Sequence, residues 1–205
     1  MALVVAIAAL LSLWHDVTSL DPSAERAALA WLDQHPALGQ RVVLIVDFTR
    51  PSFLPRAYLF DPSTHTVRER FWVAHGEGSG WASVDVVSNT PGTHASSAGA
   101  FETGQVYEGR HGLSLRLLGL EPGINDEAYA RSIVLHGAPY ASPWSIATNL
   151  GRLGRSEGCL VLDPEVIDGV VEELGTGSLV YVHASLDARA PRPTTLDRPF
   201  SARAR

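Results

Sequence analysis

Residues 151–162 read GRLGRSEGCLVL, and Cys159 within this stretch is the only cysteine of the chain. A glycine-rich segment followed by an apolar run is typical of a loop that enters a buried strand. A second apolar run, residues 133–135, ends in the pair His136-Gly137, which lies 23 positions before the cysteine. An imidazole can activate a thiol as a nucleophile, and a glycine leaves room for a substrate carbonyl beside the backbone. The pattern therefore predicts thiol chemistry where two strands meet.

The composition of the 205 residues indicates one globular domain with a sizeable core, because 45% of them are hydrophobic and 19% are charged. The formal net charge of −6 argues against nonspecific binding to nucleic acid. A single cysteine excludes an intrachain disulfide and a cysteine-rich zinc site. No His-x-x-x-His pattern or carboxylate cluster at ligand spacing suggests a metal, and we expect neither a metal nor a cofactor. The composition leaves the oligomeric state open.

The two ends of the chain differ from the rest. Residues 1–13 are almost wholly apolar (MALVVAIAALLSL), which suits the hydrophobic part of a signal peptide but is shorter than a membrane span of roughly 20 residues. The first basic residue is Arg26, so the positive segment of a signal peptide is missing. We interpret residues 1–20 as an apolar leader or truncated signal segment, with a buried helix as the alternative, and expect no stable membrane span after processing. Residues 186–205 are rich in Arg and Pro and predict a disordered tail.

Two helices are predicted within residues 21–185, which we take as the folded domain. An aspartate followed by a proline begins the first helix at Asp21, and Pro36 ends it. The same pair of residues begins the second helix at Asp163, and this helix is predicted over residues 165–174.

Strands dominate the rest of this domain. Small and polar residues prevail at positions 76–99, which predicts a long functional loop. Many strands, few helices and no alternation of the two favour a mostly β fold with peripheral helices, in the α+β class. The predicted strands cover residues 41–48, 56–60, 66–75, 113–118, 132–135, 160–162 and 179–182.

Six groups of short motifs carry a family resemblance. They are VAHG at 73–76 with GSG at 78–80, SNTPG at 88–92 with SSAG at 96–99, HGLSLRL at 111–117, GLEPGIND at 119–126, IVLHG at 133–137 and GRLGRSEGC at 151–159. In this order they resemble the YkuD-type L,D-transpeptidase catalytic domain, in its murein L,D-transpeptidase branch. The resemblance implies a β-sandwich or β-barrel whose catalytic cysteine and histidine face a substrate groove. It also implies action on peptidoglycan stem peptides, and hence an exported protein of the periplasm or cell envelope.

The chemistry of the candidate residues agrees with this resemblance. Cys159 is the predicted nucleophile, and His136 is the predicted base because imidazole exchanges a proton near pH 7. The backbone N–H groups of Gly158 and Cys159 are candidates for an oxyanion hole. The predicted reaction is acyl transfer from a stem tetrapeptide to an amine, which gives a 3→3 cross-link, or to water, which is L,D-carboxypeptidase activity. The sequence leaves these two outcomes open.

Further residues are predicted to contact the substrate. Stem peptides are rich in carboxylates, which arginine binds with two parallel hydrogen bonds. Two histidines that precede glycine either line the groove or cap strands. The predicted contacts are Arg155, Ser156, Gly137, His75, His111 and Arg152.

Two positions depart from the more familiar family pattern. Glu157 stands where that pattern has a histidine before Gly-Cys, and Val161 stands where it has an arginine shortly after the cysteine. Arg152 or Arg155 is the expected replacement for that arginine. Two rival functions remain at this point, a sortase-like transpeptidase and a catalytically silent wall-binding module. The sortase-like reading expects an arginine on the strand after the cysteine, and no arginine occurs between Cys159 and Arg189.

Overall fold

The computed structural model of the chain describes residues 18–39, 41–185 and 188, together with positions 7 and 12. The predicted leader at 1–20 and the predicted tail at 186–205 otherwise lie outside the described residues. None of the helices among the described residues has the length and apolar character needed to cross a membrane.

Eight strands form one mixed sheet, with β1 next to β8 and β6 next to β7 in parallel pairs and antiparallel pairing elsewhere. The order across the sheet is β3-β2-β1-β8-β4-β5-β6-β7. The strands are β1 (Val43–Asp47), β2 (Ala57–Asp61), β3 (Thr66–Phe71), β4 (Gly99–Gly109), β5 (Gly112–Gly119), β6 (Val134–Gly137), β7 (Leu160–Leu162) and β8 (Leu179–His183).

The two edges of this sheet meet. Just past β3, Ala74 forms an antiparallel bridge with Val161 of β7. The Ala74 N–H donates to the Val161 carbonyl at 2.8 Å, and the Val161 N–H donates to the Ala74 carbonyl at 3.3 Å. Since β3 and β7 are the outermost strands, this bridge curls the sheet into a barrel-like shape and satisfies backbone groups that an open edge would expose. The mostly β class predicted from the sequence is confirmed.

The main core lies inside this curled sheet. One hydrophobic cluster takes buried side chains from all eight strands, among them Leu44, Phe101 and Leu162. Helix α3 (Ile167–Leu174) adds its buried face to the same cluster. The opposite face of the strands around β1 packs against helix α1 (Pro22–Gln34). A third, short helix is α2 (Pro143–Thr148).

Local sequence signals account for the helix ends. The Asp21 side chain accepts a hydrogen bond from the Ser23 N–H at 2.7 Å, which caps α1 as predicted. Helix α3 begins at Ile167, two residues later than predicted. The reason is a turn at Asp163, whose carboxylate accepts from the Glu165 N–H at 3.0 Å before the helix starts.

The predicted strands are confirmed with shifted ends, and the longest strand, β4, is one that the sequence pattern did not predict. The predicted strand at 66–75 ends at Phe71. The chain then runs without long secondary structure to β4, with one 3₁₀ turn at Glu77–Ser79, so the long loop is confirmed.

The domain also includes residues just before position 21. Leu20 packs in the cluster beneath α1, and the Thr18 hydroxyl accepts a hydrogen bond from Arg70 at 2.6 Å. Residues 18–20 therefore pack on the sheet. Near the other end of the chain, the Ala188 carbonyl accepts a hydrogen bond from the Val87 N–H at 2.9 Å.

Candidate active site

A cavity of about 900 Å³ opens beside β6 and β7. Cys159 and His136 line it together with three of the predicted substrate contacts, His111, Arg155 and Ser156. The cavity also contains charged and aromatic groups that the sequence did not single out, namely Glu77, His94, Tyr107, Arg110, Arg131 and Tyr140.

The register of β6 and β7 explains why the cysteine and the histidine face the same side. In this parallel pair Leu135 lies beside Leu160, and both side chains belong to the core. Because side chains alternate along a strand, the neighbouring positions Cys159 and His136 project to the opposite side, where the cavity lies. Two apolar residues thus direct both reactive groups.

Cys159 is half-buried, and its thiol donates to the Ser132 carbonyl across 3.6 Å. Burial raises the pKa of the Cys159 thiol, and the Glu157 carboxylate raises this pKa further. A backbone hydrogen bond from Val134 and the positive charges of Arg110 and Arg131 act in the opposite direction. The thiol is therefore protonated at rest and needs a base to become a nucleophile.

His136 has the properties of such a base. Its side chain is buried, and Nδ1 lies 3.0 Å from the Gly137 carbonyl. That oxygen only accepts, so we assign the proton to Nδ1, which leaves Nε2 with a free lone pair. Burial lowers the pKa of His136, and the nearby His111 ring and Arg110 guanidinium act in the same direction, whereas the hydrogen bond to the Gly137 carbonyl acts against them. The imidazole is thus neutral, the form that can accept a proton.

His111 lies directly on His136. Its ring stacks on that of His136 with 4.4 Å between the ring centroids. The Arg110 side chain donates to Nε2 of His111 at 2.9 Å, which fixes that nitrogen as an acceptor. His111 and Arg110 also border a neighbouring cavity of about 440 Å³, where Gly137 is found. His111 and Arg110 therefore line both cavities.

The turn before the cysteine is held by hydrogen bonds and by close packing. The Ser156 hydroxyl donates to the Cys159 carbonyl at 2.7 Å and accepts from the Gly158 N–H at 3.2 Å. Gly158 has φ of 117°, and a Cβ there would lie 3.0 Å from the Ala95 carbonyl. Only glycine fits this position. Its N–H is already bound to Ser156, so a role in an oxyanion hole requires that this bond be given up.

His75 lies outside the cavity lining and is fully buried. Its Nδ1 is 2.7 Å from the Arg56 guanidinium. Burial lowers the pKa of His75 to about 3, and the positive charge of Arg56 acts in the same direction. Gly137 also has a packing role, because a Cβ there would come within 2.8 Å of Ile167. We assign neither residue a contact with substrate.

The two predicted arginines differ in position. Arg155 lines the cavity and donates to the Gly80 carbonyl at 3.1 Å. Arg152 is buried outside the cavity lining, with its guanidinium carbon 3.6 Å from the centroid of the Trp81 ring. Its side chain also donates to the Leu153 carbonyl at 2.8 Å. The guanidinium carbon of Arg155 also lies over the Trp81 ring, 4.9 Å from its centroid, so the two arginines differ in that Arg155 alone lines the cavity that contains the thiol.

Several cavity residues were missed by the sequence analysis. Tyr140 follows the His-Gly pair closely, and burial raises its pKa to about 12. Arg131 stands shortly before the strand that carries His136, but its acceptors lie more than 30 residues away along the chain, so no local signal pointed to it. His94 and Glu77 form an exposed pair with 2.8 Å between Nδ1 and the carboxylate, and no local signal pointed to them.

One family model and several solved structures are similar to this chain. The model of the L,D-transpeptidase catalytic domain family matches residues 18–183. An L,D-transpeptidase from Xylanimonas cellulosilytica is 12% identical, with a TM-score of 0.43 over 76% of this chain and 68% of that chain. The helical cell shape determining protein of Campylobacter jejuni is 13% identical, with a TM-score of 0.44 over 84% of this chain and 59% of that chain.

An L,D-transpeptidase from Mycobacterium tuberculosis is 13% identical, with a TM-score of 0.40 over 70% of this chain and 58% of that chain. This chain thus spans between 58% and 68% of the lengths of these three solved proteins. No curated protein matches it. The family model covers most of the chain, and its match confirms the resemblance carried by the sequence motifs. The chain belongs to the L,D-transpeptidase catalytic domain family.

Proposed function

We propose that this chain is a cysteine-dependent acyltransferase of peptidoglycan stem peptides, with Cys159 as the nucleophile and His136 as the general base. One observation carries the proposal. The single thiol of the chain and a neutral imidazole project from adjacent strands into one large cavity. In a member of the L,D-transpeptidase family, this pair is suited to acyl transfer.

The first half of the reaction forms a thioester. His136 accepts the thiol proton on Nε2, and the sulfur attacks the carbonyl of the third, L-centred residue of a stem tetrapeptide. The tetrahedral intermediate collapses when the imidazolium returns the proton to the nitrogen of the terminal D-Ala, which leaves as the free amino acid. A carbon–sulfur bond replaces a carbon–nitrogen bond, and His136 is neutral again.

The second half releases the acyl group. A side-chain amine of another stem peptide attacks the thioester, His136 takes its proton, and the thiolate leaves and is reprotonated. This outcome is a 3→3 cross-link. Water in place of the amine gives L,D-carboxypeptidase activity by the same proton transfers. Both outcomes place the substrate in peptidoglycan, so the proposal includes export to the periplasm or cell envelope.

The charges around the sulfur fit this sequence of steps. The resting thiol and imidazole are both neutral, because burial raises the pKa of Cys159 and lowers the pKa of His136. Charge separation therefore occurs only when a substrate carbonyl is present to accept the thiolate. The negative charge of Glu157 disfavours the thiolate, but this side chain is exposed to solvent, where its charge is screened.

The test is to incubate the purified protein with tetrapeptide muropeptides and analyse the products by mass spectrometry. We expect loss of terminal D-Ala, seen as tripeptide products or as 3→3 linked dimers, and no change with the C159A variant. Products identical for the two proteins would reject the proposal and favour a catalytically silent wall-binding module.

A further inference from the structure

Arg131 makes a set of contacts that the reaction scheme does not use. Its guanidinium donates to the Ser97 hydroxyl at 2.6 Å and to the carbonyls of Ser88 and Ala95. All three acceptors belong to residues 88–97, which we call the clamped loop. Arg131 is half-buried and lines the cavity that contains the thiol. One side chain therefore joins the clamped loop to the segment that leads into β6.

The clamped loop supports the turn before Cys159. The Ser96 hydroxyl donates to the Gly158 carbonyl at 3.0 Å and accepts from the Gly76 N–H at 2.9 Å. The Ala95 carbonyl, which Arg131 binds, is also the group that a Cβ on Gly158 would meet at 3.0 Å. The loop thus lies directly against the residue that precedes the nucleophile.

The residue next to Arg131 contacts the sulfur itself. Ser132 accepts the hydrogen bond of the Cys159 thiol on its carbonyl. Ser132 has φ of 57°, a left-handed conformation that is uncommon for serine and turns the backbone sharply. A guanidinium fixed by three acceptors on one side of this turn holds the turn, and with it the carbonyl that contacts the sulfur.

We propose that Arg131 is the positioning residue for Cys159: it anchors the clamped loop beneath the Gly158 turn and contributes, with Arg110, positive charge that favours the thiolate. The proposal rests on the function proposed above. It assigns to Arg131 the charge that Val161 cannot provide. Arg152 stacks on Trp81 outside the cavity lining, so it does not fill this role.

The other groups around the sulfur define the electrostatic test. The positive charge of Arg131 lowers the pKa of Cys159, as does that of Arg110, and the negative charge of Glu157 raises it. Removing Arg131 and removing Glu157 should therefore shift this pKa in opposite directions. The titratable and charged groups that line the cavity are Glu77, His94, Tyr107, Arg110, His111, Arg131, His136, Tyr140, Arg155 and Glu157.

The experiment measures the rate of alkylation of Cys159 by iodoacetamide as a function of pH, with thermal unfolding measured alongside. Positive charge favours the thiolate, and Arg131 lowers the pKa of Cys159 by less than Arg110 does. We expect R131Q to raise the apparent pKa of Cys159 and to slow alkylation by about twofold to fivefold at a pH below that pKa. R131K keeps the charge and should restore most of the wild-type profile. E157Q, the control of opposite sign, should lower the apparent pKa.

A purely structural role for Arg131 would change the unfolding temperature and leave the alkylation profile unchanged. An R131Q profile that coincides with that of the wild type would therefore overturn the proposal. If R131Q does not fold, S97A takes its place, because it removes one acceptor of the guanidinium without changing any charge. We expect S97A to shift the profile in the same direction by less, and a wild-type profile for S97A would then overturn the proposal.

Alkylation needs no peptidoglycan, so this test is separate from that of the proposed function. Unshifted profiles with normal muropeptide turnover would reject the role of Arg131 alone. The expected shifts without any muropeptide turnover would reject acyl transfer and leave the electrostatic role of Arg131 in place.

Discussion

Two His-Gly pairs of this chain, His75-Gly76 and His136-Gly137, have similar local sequences and opposite surroundings. Each follows an apolar segment, and both histidines are almost inaccessible, with 0% and 3% of their surface exposed. His75 accepts a hydrogen bond from the buried Arg56 guanidinium. His136 donates to its neighbouring carbonyl through Nδ1, stacks on the His111 ring and lines the cavity.

The difference shows that burial alone does not identify a catalytic histidine. Burial lowers the pKa of both residues, so both are neutral at pH 7. The two histidines differ in the hydrogen-bond partner of their ring nitrogen and in their access to a cavity. His75 satisfies a buried cation, which is a structural task, whereas His136 keeps a basic nitrogen beside a thiol. Substitution of His75 should therefore change the free energy of unfolding, and substitution of His136 should change the reaction rate.

The largest effect is expected at the nucleophile. We predict that C159A lowers muropeptide turnover by at least about a thousandfold, because no other group in the site forms the covalent intermediate. One sulfur at a half-buried position is a small loss of packing, so the free energy of unfolding should change by no more than about 1 kcal/mol. Turnover and chemical denaturation measured on the same preparation check both parts. Residual activity near that of the wild type would disprove the thiol mechanism.

A smaller loss of rate is expected at the base. We predict that H136Q slows acylation by about a hundredfold to ten-thousandfold, the usual contribution of a general base. In the wild type the neutral base increases as pH rises through the pKa of His136, which lies below the ordinary value of 6.5. The acylation rate should therefore rise with pH in this region, and H136Q should flatten the profile. An unchanged profile in H136Q would assign the base to His111, the other histidine stacked in the same cavity.

The buried pair of His75 and Arg56 should respond to pH through a change in the free energy of unfolding, and not through a change in reaction rate. The folded-state pKa of His75 is about 3, below its unfolded value of 6.5, so the unfolded state binds the proton first. Its contribution to stability is complete above pH 6.5 and decreases as pH falls towards 3. Between pH 6.5 and 4.5 this amounts to a loss of roughly 2–3 kcal/mol.

The variant H75Q tests this directly, since its amide oxygen can still accept from Arg56. We expect its stability to depend less on pH than that of the wild type and its turnover to stay within a fewfold. Urea denaturation at pH 6.5 and 4.5 gives the comparison, with C159A as a matched control that should keep the wild-type pH dependence. A large loss of turnover in H75Q with intact stability would move His75 into the reaction.

Much of the fold follows from local sequence signals. Apolar runs located most of the strands, and the Asp-Pro pair located the start of α1, because these signals act within a few residues. Strand β4 was missed because its sequence, GAFETGQVYEG, contains three glycines and does not alternate regularly. The bridge between Ala74 and Val161 joins residues far apart in the chain, so no local pattern predicts the closure of the sheet.

The residues of the candidate site also fall into two groups, those that local sequence signals predicted and those that depend on distant residues. Cys159 and His136 were predicted because their strands and their glycines lie beside them in the sequence. Arg131 was missed, because its importance depends on acceptors in the clamped loop, more than 30 residues away along the chain. The environment of His75 could not be predicted either, since its hydrogen-bond partner Arg56 lies 19 residues earlier in the chain, before the neighbouring strand β2. Partners that are distant in sequence therefore decide which polar residues lie near Cys159.

The central claim is that Cys159 is a nucleophile within an acyl-transfer site, and the intact-protein mass after incubation with a carbapenem tests it most directly. The strained β-lactam carbonyl presents the same electrophile as a scissile amide, and ring opening retains every atom of the drug. We predict one adduct that equals the mass of the carbapenem, present on the wild type and absent from C159A. An unmodified wild-type protein whose thiol still reacts with iodoacetamide would contradict the claim, because the sulfur would then be reactive without an acyl-transfer site around it.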